Sequence, residues 1–284
     1  MTEEYVEIVD YLVDCNNDGN TGGSGQNGGS GNTGSTGGGN TGDNGGSGNP
    51  TGNLRLPLQL SGGLSLKQID TVLSLVSVAE NSDTKWYNQY NYIENINDGR
   101  GYTISIVGFC TGTGDFIQVL EALQKINPNH ILVKWIPLVR TKKGGDVRGL
   151  DGLPADMAKV GVNDKDFNMA AWIVIQKLYW GPAMDYCNSH GFTSALAKYI
   201  TYDTILNFGE LNPFSNIRVS ASLNEKSAIA KFLEIKQRVI VNDPTLGDSK
   251  NNRVDMQKSL LQRSIMDLQT PMTVSCYGDS FIIN

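Results

Sequence analysis

The sequence predicts a mainly helical α+β protein, and three observations carry that class. Apolar residues recur at helical spacing (Ile69, Val72, Leu73, Val76), the run Asn168 to Trp180 is apolar nearly all round, and Tyr102–Phe109 alternates as a strand does. Helices therefore dominate, with a small β element near residues 98–112.

The elements follow in chain order. Ser65-Leu66-Lys67-Gln68 has the form of a capping box, Ser at the N-cap and Gln three residues on. The helix it opens shows one apolar face, and Glu80, four residues after Val76, continues that face. A carboxylate in line with core residues must be either desolvated or paired. Asp115 to Lys125 starts a second helix with Ile117, Leu120 and Leu123 on one side. Asn168 to Trp180 suits a helix buried within the molecule, ended by Gly181-Pro182. Ser194–Phe208, Glu225–Val241 and Arg253–Asp267 read as further helices.

Composition divides the chain before any motif is considered. Residues 16–53 hold 16 of the 33 glycines and no aliphatic or aromatic side chain. Such a segment buries nothing to offset its conformational entropy, so it is expected to be a disordered linker spanning about 34 Å. Residues 1–15 are expected to form a short N-terminal segment, a poorly ordered tail or the remnant of an upstream module, and 54–284 the main folded domain. Seven of the 29 acids and none of the 23 bases lie before residue 54, which leaves 22 acids against 23 bases in that domain. A near-neutral domain gives no general case for nucleic acid, and any electrostatic attraction must be local. Four cysteines stand far apart without a CxxC pair and there are two histidines, so zinc-ligand spacing is absent and no metal is expected. Disulfides among Cys110, Cys187 and Cys276 stay open. No window of 18 apolar residues exists, so no membrane span is expected. Met1-Thr2-Glu3-Glu4 lacks the basic start of a signal peptide, so export would use another route or a start upstream.

The chemistry concentrates between residues 80 and 115. Glu80, Asp83, Glu94, Asp98 and Asp115 face only Lys85 and Arg100 there. Asp98-Gly99-Arg100-Gly101 packs both charge signs between glycines, which permit close approach of backbone to a ligand. Two carboxylates in different surroundings are what glycosidic cleavage requires, one protonated and one ionised. The run Gly108 to Asp115 has no Gly-Lys-Ser/Thr ending, and Asp115 would repel phosphate, so a nucleotide cradle is excluded. Asp115, at a helix N-terminus, reads first as a cap, and its nearness in sequence to Asp98 keeps a ligand role open. His130 and His190 have no nucleophile context, which excludes a triad. Trp86, Tyr87, Tyr90, Tyr92 and Tyr102 crowd the same region, as core or as sugar platforms.

Ala79-Glu80-Asn81-Ser82, Trp86, Gln89-Tyr90, Tyr92-Ile93-Glu94, Ile96, Asp98 to Thr103, Gly108-Phe109-Cys110 and Gly112 to Asp115 closely resemble the signature of the chitosanases of glycoside hydrolase family 46. Tyr202-Asp203, Arg253-Val254-Asp255, Tyr277-Gly278-Asp279 and Ile283-Asn284 extend the resemblance, which is sparse over about 140–195. It implies a two-lobed, lysozyme-like helical fold with a small β-sheet in one lobe and a substrate cleft between lobes. It implies endo-hydrolysis of β-1,4-linked glucosamine chains with inversion. By position, Glu80 resembles the general acid, Asp98 the general base, Thr103 a holder of the attacking water and Arg100 an orienting cation. Asp115, Tyr92 and Glu94 would bind substrate, and Asp203 with Arg253 would form a charge network supporting Glu80. The apolar face around Asp203 independently calls for a partner cation. The implied partners are chitosan or glucosamine oligosaccharides, acted on by a secreted monomer with no cofactor, nucleic acid or membrane partner. The alternatives are a lysozyme-like hydrolase of N-acetylated chains and a carbohydrate-binding module without turnover.

Overall fold

A computed structural model of the chain describes residues 56–242 and 249–284. The expectations for residues 1–15 and 16–53 fall outside the described residues. Helix α1, Leu66–Asn81, begins at the predicted capping box: the Ser65 hydroxyl accepts from the Gln68 N–H, and the Gln68 side chain accepts from the Ser65 N–H. Its burial differs from the one-faced stripe expected. Every residue from Thr71 to Ala79 is buried, because α1 packs against helices and a C-terminal hairpin on different sides. Thr71, Ser74 and Ser77 are the polar members of that set, and Thr71 Oγ1 donates back to the Lys67 carbonyl.

A three-stranded antiparallel sheet follows: β1 (Ile93–Glu94), β2 (Thr103–Ile104) and β3 (Phe109–Cys110), in that spatial order. Register places Glu94 opposite Thr103 and Thr103 opposite Cys110, with Ile93, Ile104 and Phe109 in the neighbouring row. Alternation then puts the polar row on one face and the apolar row on the other. Phe109 and Ile104 are fully buried.

Helix α2 (Phe116–Ile126) packs on α5 (Lys165–Ile175), joined through a 3-10 turn at Val133–Trp135, the short α3 (Ile136–Val139) and α4 (Leu153–Val160). The buried helix expected to stop at Gly181-Pro182 does not stop there. A π-helical turn, Gln176–Trp180, leads directly into α6, Gly181–His190, whose first turn holds Pro182. The missing N–H of proline costs nothing in a first helical turn, so the same dipeptide that reads as a stop serves as a start. Helices α7 (Ala195–Phe208), α8 (Glu225–Asn242) and α9 (Ser249–Gln262) follow, then the hairpin β4 (Met272–Cys276) and β5 (Asp279–Ile283). The expected helix 253–267 thus lies four to five residues further toward the N-terminus, and the hairpin replaces what had no assignment. Cys110, Cys187 and Cys276 are buried free thiols rather than disulfide halves. Trp86 and Tyr90 belong to the core, where the Trp172 indole donates to Tyr90 Oη at 2.6 Å. No helix among the described residues is long and apolar enough to cross a membrane.

Glycines stack three backbone segments beside the sheet. The Gly112 N–H donates to Arg100 O at 3.0 Å, and the Gly144 N–H donates to Gly112 O at 3.0 Å. A Cβ at Gly112 would lie 1.8 Å from Gly144 O, and one at Gly101, which has φ +82°, would lie 2.3 Å from Thr111 Oγ1. Gly112→Ala should therefore cost at least the roughly 1–3 kcal/mol of overpacking. Gly209→Ala, with open space around it and only its φ of +73° to strain, should cost about 1 kcal/mol. Urea midpoints test the order; equal losses would show that the stack can yield.

Candidate active site

The sequence-predicted residues gather in two groups, each organised by an arginine. The first stands at the C-terminal end of α1. Glu80 is 45% exposed and is paired, not desolvated: Arg253 Nη2 donates to its Oε1. Arg253 is itself buried, and its Nη1 lies 3.6 Å from Asp203 Oδ1. Asp203, on the buried face of α7, also accepts from Lys236 Nζ at 2.6 Å and Gln257 Nε2 at 2.7 Å. The four charges thus run Glu80, Arg253, Asp203, Lys236 across α1, α9, α7 and α8.

Burial pushes the Asp203 carboxyl up, but Arg253 and Lys236 outweigh it and hold the group below its ordinary value. Burial alone would lower Arg253; Asp203 and Glu80 instead raise it. Lys236 moves the other way. Desolvation takes it down to about 8, only partly opposed by Asp203, and the neighbouring positive charge of Arg253 adds to the fall. Two cations sharing one buried carboxylate leave the lysine as the easier to neutralise.

Lys236 and Gln257 were not among the expected site residues. Lys236 was legible, since it lies at helical spacing from the buried Ile229, Phe232, Leu233 and Ile240, so a cation stood on an apolar face. Tyr277 was also missed as a site residue. Its hydroxyl donates to the carbonyl of Ala79 at 3.0 Å, fixing the hairpin turn to the last turn of α1, next to Glu80.

The second group surrounds the sheet. Asp98 lies in the β1–β2 connection, where its Oδ1 accepts the Arg100 backbone N–H at 3.0 Å and its Oδ2 accepts Arg100 Nε at 2.7 Å. Desolvation raises the Asp98 carboxyl, yet these donors and the guanidinium charge prevail and keep it below 3.8. It is therefore ionised at neutral pH. The glycine stack explains Gly101 of this loop, which lets the chain approach Thr111, whose Oγ1 accepts the Tyr102 N–H.

Thr103 stands at the centre of the polar row, half-buried, with its hydroxyl 3.9 Å from Cys110 Sγ. Tyr92 donates to Glu94 Oε2 at 2.8 Å, and burial together with that carboxylate pushes the phenol up to about 12. Asp115 is both cap and hub. Its Oδ1 takes the Phe116 N–H, the Cys110 N–H and the Thr113 hydroxyl, while Oδ2 takes the Tyr179 hydroxyl at 3.1 Å. Tyr179 is raised by burial and by the Asp115 charge. Among the described residues no hydrogen bond or ion pair joins Glu80 to Asp98, and no group of three or more His, Cys, Asp or Glu side chains could hold a metal ion.

The sequence profile of glycosyl hydrolase family 46 matches residues 74–272, which contain both groups apart from Tyr277. The chain belongs to that family. It is 32% identical over 230 residues to a chitosanase of Streptomyces sp. (strain N174), covering 76% of this chain and 81% of the relative. A chitosanase of Bacillus subtilis (strain 168) is also 32% identical, over 78% of this chain and 87% of its own length. Among solved structures, the native chitosanase of Bacillus subtilis MY002 superposes with a TM-score of 0.69 at 30% identity, covering 78% of this chain and all of that one. The family 46 chitosanase of Gynuella sunshinyii in complex with chitotetraose gives 0.70 at 27% identity, over 78% of this chain and 99% of its own. The mostly helical architecture with a small antiparallel sheet is thus the lysozyme-like fold of family 46, as its members share it.

The lowered Lys236 gives this family 46 site a signature in alkali. The folded chain releases the proton near pH 8, whereas the unfolded chain holds it to 10.5. Between those values the unfolded state binds more protons, so the contribution of this group to stability rises with pH. Lys236→Arg stays charged throughout and removes that rise. Urea midpoints should diverge in favour of the natural chain from pH 8 to pH 10, and a difference independent of pH would refute the assignment.

Proposed function

We propose that this chain hydrolyses internal β-1,4 bonds of chitosan with inversion, Glu80 acting as general acid and Asp98 as general base. The observation that carries the roles is the contrast between the two carboxylates. Asp98 is kept ionised by a guanidinium and a backbone N–H. Glu80 stands half exposed on a different element, oriented by one buried arginine. The relatives named chitosanases support the substrate.

In this reading Glu80 passes a proton to the glycosidic oxygen as the bond to the anomeric carbon breaks. A water on the opposite face of the sugar attacks that carbon and gives its proton to Asp98. The Thr103 hydroxyl, which has no strong protein partner among the described residues, is available to hold that water. Inverting glycosidases need room for the water between their carboxyls. Arg100 keeps the base ionised and aimed. Asp115 has three donors on Oδ1 but only Tyr179 on Oδ2, which leaves lone-pair capacity for a glucosamine ammonium. Tyr92 and Glu94, hydrogen-bonded to each other, offer a phenol and a carboxylate to the same substrate. Asp203 and Arg253 hold Glu80 from below. We read residues 54–284 as the catalytic domain, with 16–53 and 1–15 as separate segments ahead of it, and the enzyme as acting outside the cell, where its polymer substrate lies.

Glu80→Gln and Asp98→Asn should each lower kcat about 10²–10⁴-fold with melting temperature retained. Proton NMR of the first products should show the α-anomer; a β-anomer, or near-normal rates in either variant, would overturn the roles. Arg100→Met removes the cation that lowers Asp98, so the acid limb of the kcat/KM profile on chitosan should move to higher pH. An unmoved limb would exclude Asp98 as the base.

A further inference from the structure

We propose that the cleft between α9 and the β4–β5 hairpin is a second binding site for a glucosamine unit, separate from the residues that carry the cleavage and resting on the chitosan reading above. The cleft has a volume of about 300 Å³. Helix α9 supplies one wall with Asp255, Ser259 and Arg263, and the hairpin supplies the other with Thr273, Ser275 and Tyr277. The helical positions 255, 259 and 263 are each four apart, so these side chains form one polar row along α9.

The chemistry of the row fits an amino sugar. Asp255 is exposed and makes no ion pair or hydrogen bond among the described residues, so its carboxylate is available to an ammonium. Arg263 is held at the far end, its Nη1 donating to Thr273 O at 2.7 Å, and the rest of its fork can donate to sugar hydroxyls. Ser259 and Ser275 add hydroxyls between them. Tyr277, 38% exposed, offers a ring edge, while its hydroxyl is committed to Ala79 O. That last bond places one wall of the cleft against the end of the helix that carries Glu80. A long substrate anchored here would be tethered beside the acid. An unmodified glucosamine unit would be preferred over an N-acetylated one, because the acetamide has no charge for Asp255.

The test is a titration of the isotope-labelled full chain, carrying Glu80→Gln to stop turnover, with a glucosamine tetrasaccharide followed by amide NMR. The expected result is shifts at Ser259, Ser275 and Tyr277 that disappear in Asp255→Asn, while shifts around Asp98 and Thr103 persist in both chains. N-acetylated tetrasaccharide should leave the α9 signals unmoved. With turnover restored, Asp255→Asn should raise KM for long chitosan about two- to five-fold, leaving kcat unchanged, as for loss of one exposed ion pair. Ser259→Tyr, which fills the cleft without touching the carboxylate, should give the same rise. Absence of shifts at Ser259 and Ser275 overturns the site whether or not the natural chain cleaves chitosan. Absence of cleavage with the shifts present would overturn the hydrolase reading and leave the site standing.

Discussion

A single buried carboxylate, Asp203, is the constraint around which this half of the molecule is arranged. An isolated charge at that depth would be prohibitive, so α8 and α9 must deliver Lys236, Gln257 and Arg253 to it. Arg253 has two carboxylates to serve and reaches from Asp203 out to Glu80. The interior charge thereby determines where a surface carboxylate can stand. A hydrophobic replacement could match the stability of the network, but it could not aim Glu80.

The opposite half achieves position by another means. Asp98 lies in a short connection between two-residue strands, which alone could not hold a side chain still. Rigidity there comes from backbone pressed against backbone at Gly101, Gly112 and Gly144, with Arg100 closing the loop onto Asp98. One carboxylate is thus placed by buried charge and the other by close-packed main chain. Substitutions near the two would be expected to fail differently, through titration on the first side and through steric strain on the second.

Much of the fold was legible because period and caps agree. Ser65 with Gln68, and Ser194 before Ala195–Phe208, mark helix starts that the structure keeps. Misreadings arose where one local signal has two meanings. Gly181-Pro182 stops a helix or starts one, and only the packing of α6 against α7 decides. The hairpin at Met272–Ile283 escaped notice although Met272, Val274 and Cys276 alternate inward, because its strands carry exposed Thr273 and Ser275 that resemble loop composition. At the site, the sequence announces that Arg100 is flanked by glycines but not that Gly101 serves neighbouring backbone. Lys236 was visible as a cation out of place, whereas its partner required knowing that α7 and α8 deliver their buried faces to a common centre.

The Tyr277–Ala79 bond and the Arg253–Glu80 pair have a consequence for the order of synthesis. Glu80 leaves the ribosome early, and its cation is added 173 residues later. The clamp on the end of its helix follows 198 residues after Ala79. A growing chain therefore carries the sheet, the Asp98 loop and α1 for most of its elongation with Glu80 unaimed. Competence arrives late and nearly at once, when the last helix and the hairpin close on the first helix.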